Sequence, residues 1–411
     1  MGMNETPSAN RVHIGIFGRR NAGKSSLINA ITGQGLAIVS DQKGTTTDPV
    51  SKAMELLPLG PVVLIDTPGL DDEGELGKKR VAKTYQVLNK VDLAVLVVDA
   101  AAAEPAGLGA IEQPLLRLFA EKKLPFLIAV NKAELLDEQA EEAIGKFFEK
   151  EAHLLFVSAK TGQNIHSLKE RIAALAPAED MKKKIVGDLL NPHDIAVLVV
   201  PIDSAAPKGR LILPQQQVIR DCLEAGAIPV VVRDTELLAA LSSLSQKPKL
   251  IITDSQAFGR VSQDTPPSVY LTSFSILFAR YKGDLRQQVN GARAIRSLKD
   301  GDKVLISEGC THHRQCEDIG TVKLPRLLRM HTGKELSFSF TSGGQFPEDL
   351  SEFALIVHCG GCTLNEREVK HRLKCAREQN VPMTNYGVAL ADLHGILDRS
   401  LEIFEKPQEG L

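Results

Sequence analysis

Tryptophan is absent from the 411 residues and tyrosine occurs only four times. That leaves few aromatic faces on which single-stranded nucleic acid could stack. No apolar run reaches the roughly twenty residues needed to span a bilayer. Residues 1–10 lack the charged-then-apolar plan of a secretory signal, so the chain is read as cytoplasmic, with no membrane partner. Net charge is also lacking, at a formal −2, which gives no overall basic footprint for nucleic acid. Two stretches, 280–299 and 323–334, are locally basic and read as solvated faces of amphipathic helices. Cysteine is missing from the first half, and the six present stand at 222, 310, 316, 359, 362 and 375. In a reducing compartment such a cluster points to metal binding or catalysis and away from disulfides.

What is present is α/β patterning without a fixed-period repeat. The length suggests roughly two to three domains. Apolar runs at 12–17, 62–66, 93–98, 126–131 and 154–158 alternate with helical stretches, which predicts a mostly parallel sheet over 1–176. A Pro-, Asp- and Lys-rich stretch, 177–193, reads as a linker with one short helix. A second alternation over 194–272 has strands at 195–200, 228–232, 250–253 and 269–271, with helices at 215–224, 235–244 and 255–261. It carries no glycine-rich loop and no titratable cluster, so self-association is its expected task. The third region, 273–411, is again α/β, with strands at 303–307, 336–340, 354–358 and 383–386 and a final helix over 387–404.

Gly18-Arg19-Arg20-Asn21-Ala22-Gly23-Lys24-Ser25-Ser26 follows the first strand and opens a helical run. Glycines at this spacing let backbone N–H groups wrap phosphates, with Lys24 for the β/γ oxygens and Ser25 for Mg²⁺. Asp66-Thr67-Pro68-Gly69 ends the 62–66 strand; the carboxylate suits the metal's water shell, and the Gly69 N–H can sense a γ-phosphate. Asn131-Lys132-Ala133-Glu134 and Ser158-Ala159-Lys160 follow two further strands. In order and spacing these resemble the nucleotide and base motifs of translation-factor-like GTPases. A carboxylate in the third motif accepts from guanine N1–H and N2–H₂, which adenine lacks. Those GTPases usually place Asp where this chain has Glu134; the longer side chain keeps the acceptor pair and shifts its reach.

Gly44-Thr45-Thr46-Thr47-Asp48 resembles the first switch segment of the tRNA-modification and ribosome-assembly branch. By that resemblance Thr46 closes onto Mg²⁺ when GTP is bound. Leu70 stands where Ras-like enzymes place a water-orienting Gln, and it can neither donate nor accept. The same branch holds a potassium ion with an Asn at the position of Asn21, and such an ion would do electrostatically what an arginine finger does. The competing reading is that Asn21 only shapes the turn. Glu75, Asp71, Asp72 and Glu73 compete for the water-orienting role.

Cys310-Thr311-His312 and His358-Cys359-Gly360-Gly361-Cys362 each lie just past the carboxyl end of an expected strand. That edge of an open parallel sheet is where ligand sites gather, so the two segments can converge. Three thiolates and two imidazoles suit an iron–sulfur cluster with one non-thiolate position. A tetrahedral zinc site and buried unliganded cysteines are the other readings.

Together the GTPase motifs, the middle α/β unit and the Cys-x-His…His-Cys-x-x-Cys set resemble the [FeFe]-hydrogenase maturation GTPases of the HydF family. The resemblance spans essentially the whole chain. It implies a [4Fe–4S] cluster on Cys310, Cys359 and Cys362, with His312, His358 or an exchangeable ligand at the fourth position. It also implies a scaffold that hydrolyses GTP and carries a transient diiron subcluster, received through radical-SAM maturases and passed to apo [FeFe]-hydrogenase. A homodimer or homotetramer is expected from the same resemblance. The alternative is a ribosome-assembly or tRNA-modification type GTPase with a structural zinc site, which would attach a basic RNA-binding face.

Overall fold

Strands that are apolar on both faces demand helices on both faces, and the first half of the chain is built that way. The computed structural model describes residues 7–33, 49–71, 81, 83–102, 111–147, 153–176, 183–202, 211–309 and 319–405. Its contacts divide the chain into two units, Met1–Asp180 and Met181–Leu411.

In the first unit the described elements are β1 (Val12–Gly18), α1 (Lys24–Thr32), β2 (Val50–Leu56), β3 (Gly60–Asp66), β4 (Leu93–Asp99), α2 (Glu112–Glu121), β5 (Phe126–Asn131), α3 (Glu138–Phe147), β6 (Leu154–Phe156) and α4 (Ile165–Leu175). The sheet order is β2-β3-β1-β4-β5-β6. Only β2 runs antiparallel, pairing Val50 with Asp66 and Leu56 with Gly60. On one face Ile14, Ile16, Leu64 and Val95 pack against Leu27, Ile31 and Leu168. On the other, Phe17, Val63, Ile65 and Leu96 pack against Leu115 and Phe119. Each such side chain, fully withdrawn from water, contributes about 1.5–3 kcal/mol. From β1 the chain reaches β3 on one side and β4 on the other, which places the topological switch at the carboxyl end of β1.

The second unit carries two parallel four-stranded sheets. The first comprises β7 (Ile195–Val199), β8 (Ile228–Val232), β9 (Leu250–Thr253) and β10 (Tyr270–Ser273) in the order β10-β9-β7-β8. Its helices are α5 (Leu213–Glu224), α6 (Leu237–Ser243) and α7 (Phe258–Asp264), followed by α8 (Phe274–Lys282) and α9 (Leu285–Arg293). The second sheet comprises β11 (Lys303–Ser307), β12 (Ser337–Thr341), β13 (Leu355–His358) and β14 (Met383–Asn385) in the order β12-β11-β13-β14. With it come α10 (Leu324–Thr332), α11 (Glu366–Glu378), α12 (Tyr386–Leu393) and α13 (Leu397–Glu405). No described helix is long and apolar enough to cross a membrane.

Three features depart from the sequence reading. Part of the expected linker is packed: Ile185, Val186 and Leu190 are buried, and Asp221 Oδ2 accepts the N–H groups of Ile185, Val186 and Gly187 at 3.0, 2.7 and 2.6 Å. The single helix expected at the end is two, separated at Gly395, whose φ of +71° suits glycine. The two later regions share a core helix. In α8, Phe274, Leu277 and Phe278 pack with the first sheet, while Ile276 and Ala279 pack with the second.

Candidate functional site

The loop between β1 and α1 needs glycine at both ends. Gly18 has φ +146°, and a Cβ there would lie 2.2 Å from the Val97 carbonyl oxygen. Gly23 has φ +89°, and its Cβ would lie 2.2 Å from Asn131 Nδ2. Between them Ala22 is buried and Asn21 stands exposed at φ +60°, a conformation that Asn tolerates. Lys24 is 8% exposed and donates from Nζ to the Gly18 and Arg19 carbonyls at 3.0 and 2.7 Å. Arg19 is turned away from the loop and forms a two-pronged pair with the buried Glu112, at 2.5 and 2.9 Å. The Arg20 N–H donates to Asp71 Oδ1 at 2.6 Å, and Gly69 lies close beneath Arg20.

Ser25 Oγ donates to Asp66 Oδ2 at 2.7 Å, whereas the buried Asp66 Oδ1 has no hydrogen-bonding partner. Burial raises the Asp66 pKa; the Ser25 bond and the Lys24 and Lys52 charges oppose that rise. A hydroxyl and a carboxylate with a spare oxygen are the hard donors that Mg²⁺ takes, so the residues present fit that ion. Leu70 lies in the core beside Val63 and Ile65 and offers no polar group to a water. Thr46 lies outside the described residues, as does Glu75.

One carboxamide organises the base side. Asn131, at the end of β5, donates from Nδ2 to the Ala22 carbonyl at 3.0 Å and accepts the Ala159 N–H at 3.0 Å. Lys132 Nζ pairs with Asp99 at 2.6 Å. A cavity of about 510 Å³ opens beside Gly23, Ser26, Asn131, Glu134 and Lys160. The Ser158 side chain bonds Glu134 and, with the Lys160 and Lys132 charges, holds its carboxyl below the usual range. Glu134 Oε2 has no hydrogen-bonding partner. An ionised carboxylate with a spare oxygen at the wall of this cavity fits the donor pair of guanine.

The cysteine site is built at the second sheet's switch point, since β11 is followed by β12 on one side and β13 on the other. Ser307 and His358 are register partners at the two strand ends, and the Cys359 N–H donates to Ser307 O at 2.9 Å. Cys359 Sγ accepts the N–H groups of Gly309 and Gly361 at 3.0 and 3.4 Å. Thr363 Oγ1 donates to Gly309 O at 3.2 Å. The segment leading into Cys310 therefore lies against the Cys-x-x-Cys loop. Cys310, His312 and Cys316 are outside the described residues. Among the described residues no three acidic, His or Cys side chains group as a metal site. Amide N–H donors aimed at sulfur stabilise a thiolate, so the described half of the site fits a thiolate-held group. Burial, and then the neighbouring Cys359, push the Cys362 thiol up.

His358 is 4% exposed and turned into the fold. Its Nδ1 lies 2.6 Å from the Cys359 carbonyl oxygen and its Nε2 3.0 Å from Arg372 Nη1. A carbonyl only accepts and a guanidinium only donates, so Nδ1 carries the proton. A metal could reach Nε2 only by displacing Arg372. That guanidinium is 1% exposed and also donates to Gly343 O at 2.8 Å and to Glu368 at 2.6 Å.

Lys282 and Arg372 belong to no motif: Lys282 acts on carbonyls of a loop 79 or more residues away, and Arg372 ties together Gly343, His358 and Glu368 from separate elements. A signal for Lys282 was present: it follows Phe274 and Phe278 at four-residue steps, which puts it on the buried stripe of α8. It is 3% exposed and donates to the carbonyls of Gly361, Cys362 and Leu364 at 3.2, 3.3 and 2.8 Å. Burial pushes its pKa down to about 8, against the opposing charges of Cys362, Glu366 and Cys359.

Comparison with known proteins matches residues 185–283 to the hydrogen maturase F dimerization domain and residues 286–403 to the hydrogen maturase F tetramerization domain. Residues 13–132 match the 50S ribosome-binding GTPase family. The two hydrogen maturase F matches together cover more than half of the chain. The chain is 32% identical over 195 residues to GTPase Der of Wolinella succinogenes, covering 46% of this chain and 40% of that protein. It is 29% identical over 226 residues to GTPase Era of Heliobacterium modesticaldum, covering 49% and 74%. The chain thus spans less than half the length of that Der relative. Among solved structures, a point variant of Aquifex aeolicus Era bound to GDP·AlF4⁻ matches 54% of this chain and 92% of that one, at 19% identity and TM-score 0.36.

Proposed function

The chain belongs to the hydrogen maturase F family of GTPases, and from that premise we propose that it is a GTP-hydrolysing scaffold that holds a [4Fe–4S] cluster and delivers a two-iron precursor to apo [FeFe]-hydrogenase. It binds GTP and GDP with Mg²⁺ and assembles with copies of itself. In this reading Lys24 exchanges its loop carbonyls for the β/γ oxygens, while the Gly18–Ser26 amides wrap the phosphates. Ser25, Thr46 and Asp66 hold Mg²⁺, which neutralises charge on the phosphates, and the Gly69 N–H meets the γ-phosphate. Glu134 accepts from guanine, with Ser158, Ala159 and Lys160 flanking the base and Lys132 held by Asp99. The apolar Leu70 leaves the transition-state charge to other groups, and Asn21 supplies a potassium site for that purpose. The hydrolysis rate is then higher in potassium than in sodium salts, and Asn21→Ala removes the difference.

Cys310, Cys359 and Cys362 would hold the cluster, which would supply one position open to a ligand other than thiolate. His312 or an exchangeable ligand serves that position, and His358 braces the loop through Arg372 and the Cys359 carbonyl. Self-association runs through the edge strand β8, where Ile228 and Val231 are exposed. Radical-SAM maturases supply the cargo.

The observation that supports the cluster reading is the Gly309 N–H on Cys359 Sγ, which sets the residue before Cys310 against the Cys359–Cys362 loop. Anaerobic reconstitution with iron and sulfide tests it. About four irons and four sulfides per chain, lost in Cys359→Ser and Cys362→Ser with GTP hydrolysis intact, support the reading. Zinc without sulfide would favour the ribosome-assembly or tRNA-modification alternative, toward which the match over 13–132 leans.

A further inference from the structure

We propose that Lys282 is the positioning residue of the cysteine site: its buried ammonium fixes the Cys359–Cys362 loop and supplies the positive charge that offsets thiolate ligation there. This rests on the cluster reading above.

An ammonium has three hydrogens, and three carbonyls of one short loop accept from Lys282. Two of those carbonyls, of Gly361 and Cys362, lie in the Cys-x-x-Cys turn itself, where Gly361 has φ +63°. Lys282 reaches them from another element, the last turn of α8, whose start is fixed by the Ser273 side chain accepting the Ile276 N–H at 3.2 Å. A turn that needed only bracing could have used a neutral donor. A lysine with 3% exposure brings a full charge into a place with almost no water.

That charge has no carboxylate partner among the described residues. Glu366, the nearest acid acting on it, is already held by Lys183 at 2.7 Å and Lys370 at 2.6 Å. Cys362 and Cys359 are the other groups whose charge would act on Lys282, once ligation makes them thiolates. Gln288, Asn385 and His358, which share a small cavity with it under the loop, are neutral or held in hydrogen bonds. The arrangement is a buried cation held by the carbonyls of the Cys359–Cys362 loop, and a thiolate-held anionic group on that loop would supply the opposing charge. Nearby charge and hydrogen bonding are what set the potential of such a centre.

The test uses the full chain with Lys282→Met, Lys282→Gln and Lys282→Arg, reconstituted anaerobically with iron and sulfide. Fold is checked by circular dichroism, oligomeric state and GTP hydrolysis; iron content, EPR and midpoint potential are the readouts. Lys282→Met is expected to lose cluster several-fold, Lys282→Gln to hold a cluster that reduces at a more negative potential, and Lys282→Arg to restore content and potential toward wild type. Wild-type content and potential in both neutral variants would overturn the proposal. If Lys282→Met does not fold, the Gln and Arg variants decide alone: equal content and equal potential in the two overturns it. A wild-type chain that takes up no cluster defeats the underlying reading of the site, a result distinct from failure of the lysine's role.

Discussion

Asn131 joins the Ala22 carbonyl across 109 residues of sequence with a 3.0 Å hydrogen bond, which ties the phosphate loop to the end of β5 on the base side. The other end of the same carboxamide takes the Ala159 N–H.

Asn131→Ala therefore leaves a buried carbonyl and an N–H without partners, each costing about 1–3 kcal/mol. Affinity for GDP is expected to fall about 10- to 100-fold. Titration with a fluorescent GDP analogue measures it, and wild-type affinity would show that the bridge does not organise the site.

Asp66 gives a pH dependence. Burial puts its pKa above the ordinary 3.8, so on acidification it takes up a proton while a surface aspartate is still ionised. A carboxylate that binds Mg²⁺ must be ionised; affinity is lost as pH falls, and the loss begins at a higher pH than for an ordinary aspartate. Magnesium titrations at a series of pH values should show this decline in wild type. A weak and pH-independent response is expected in Asp66→Asn. A wild-type profile centred on the ordinary value would contradict the buried setting.

Leu70→Gln restores the residue that Ras-like enzymes use, yet Leu70 lies in the core of the first unit. Burying an amide there is expected to cost about 2–3 kcal/mol and to leave the hydrolysis rate without acceleration. Urea unfolding and a single-turnover assay separate the two effects. Faster hydrolysis at unchanged stability would mean that residue 70 faces the phosphates.

Arg372→Met removes the partner of Glu368 and the donor to His358 at once. Breaking a buried pair in this way typically costs about 3–5 kcal/mol. Urea denaturation should show that loss, and hydrogen exchange should locate it at β13 and α11. A loss under about 1 kcal/mol would mean that the network is solvated.

Much of the fold was legible because parallel strands buried on both faces are written as unbroken apolar runs; β5, β9 and β11 fall where those runs lie. Strand β2 was not legible. Val50, Ser51, Ala53 and Glu55 are exposed along it, so an edge strand with one wet face left no such run. The phosphate loop could be read because its chemistry is confined to one short stretch. The setting of Cys359 could not, because it depends on Gly309, Lys282 and Arg372, which reach it from other elements. His358 was grouped with the cysteines by its place past a strand end and by the family resemblance, whereas its ring is turned into the protein, with Nε2 beside Arg372.

A chain that reads as three modules can be divided only once. Helix α8 gives Phe274 and Phe278 to one core, Ile276 and Ala279 to the next, and its terminal lysine to the loop beyond. Scission near residue 284 would leave α8 with the first sheet and take Ile276, Ala279 and Lys282 away from the second core and the cysteine loop. The cysteine loop therefore keeps its lysine only in a chain that runs unbroken through residue 284.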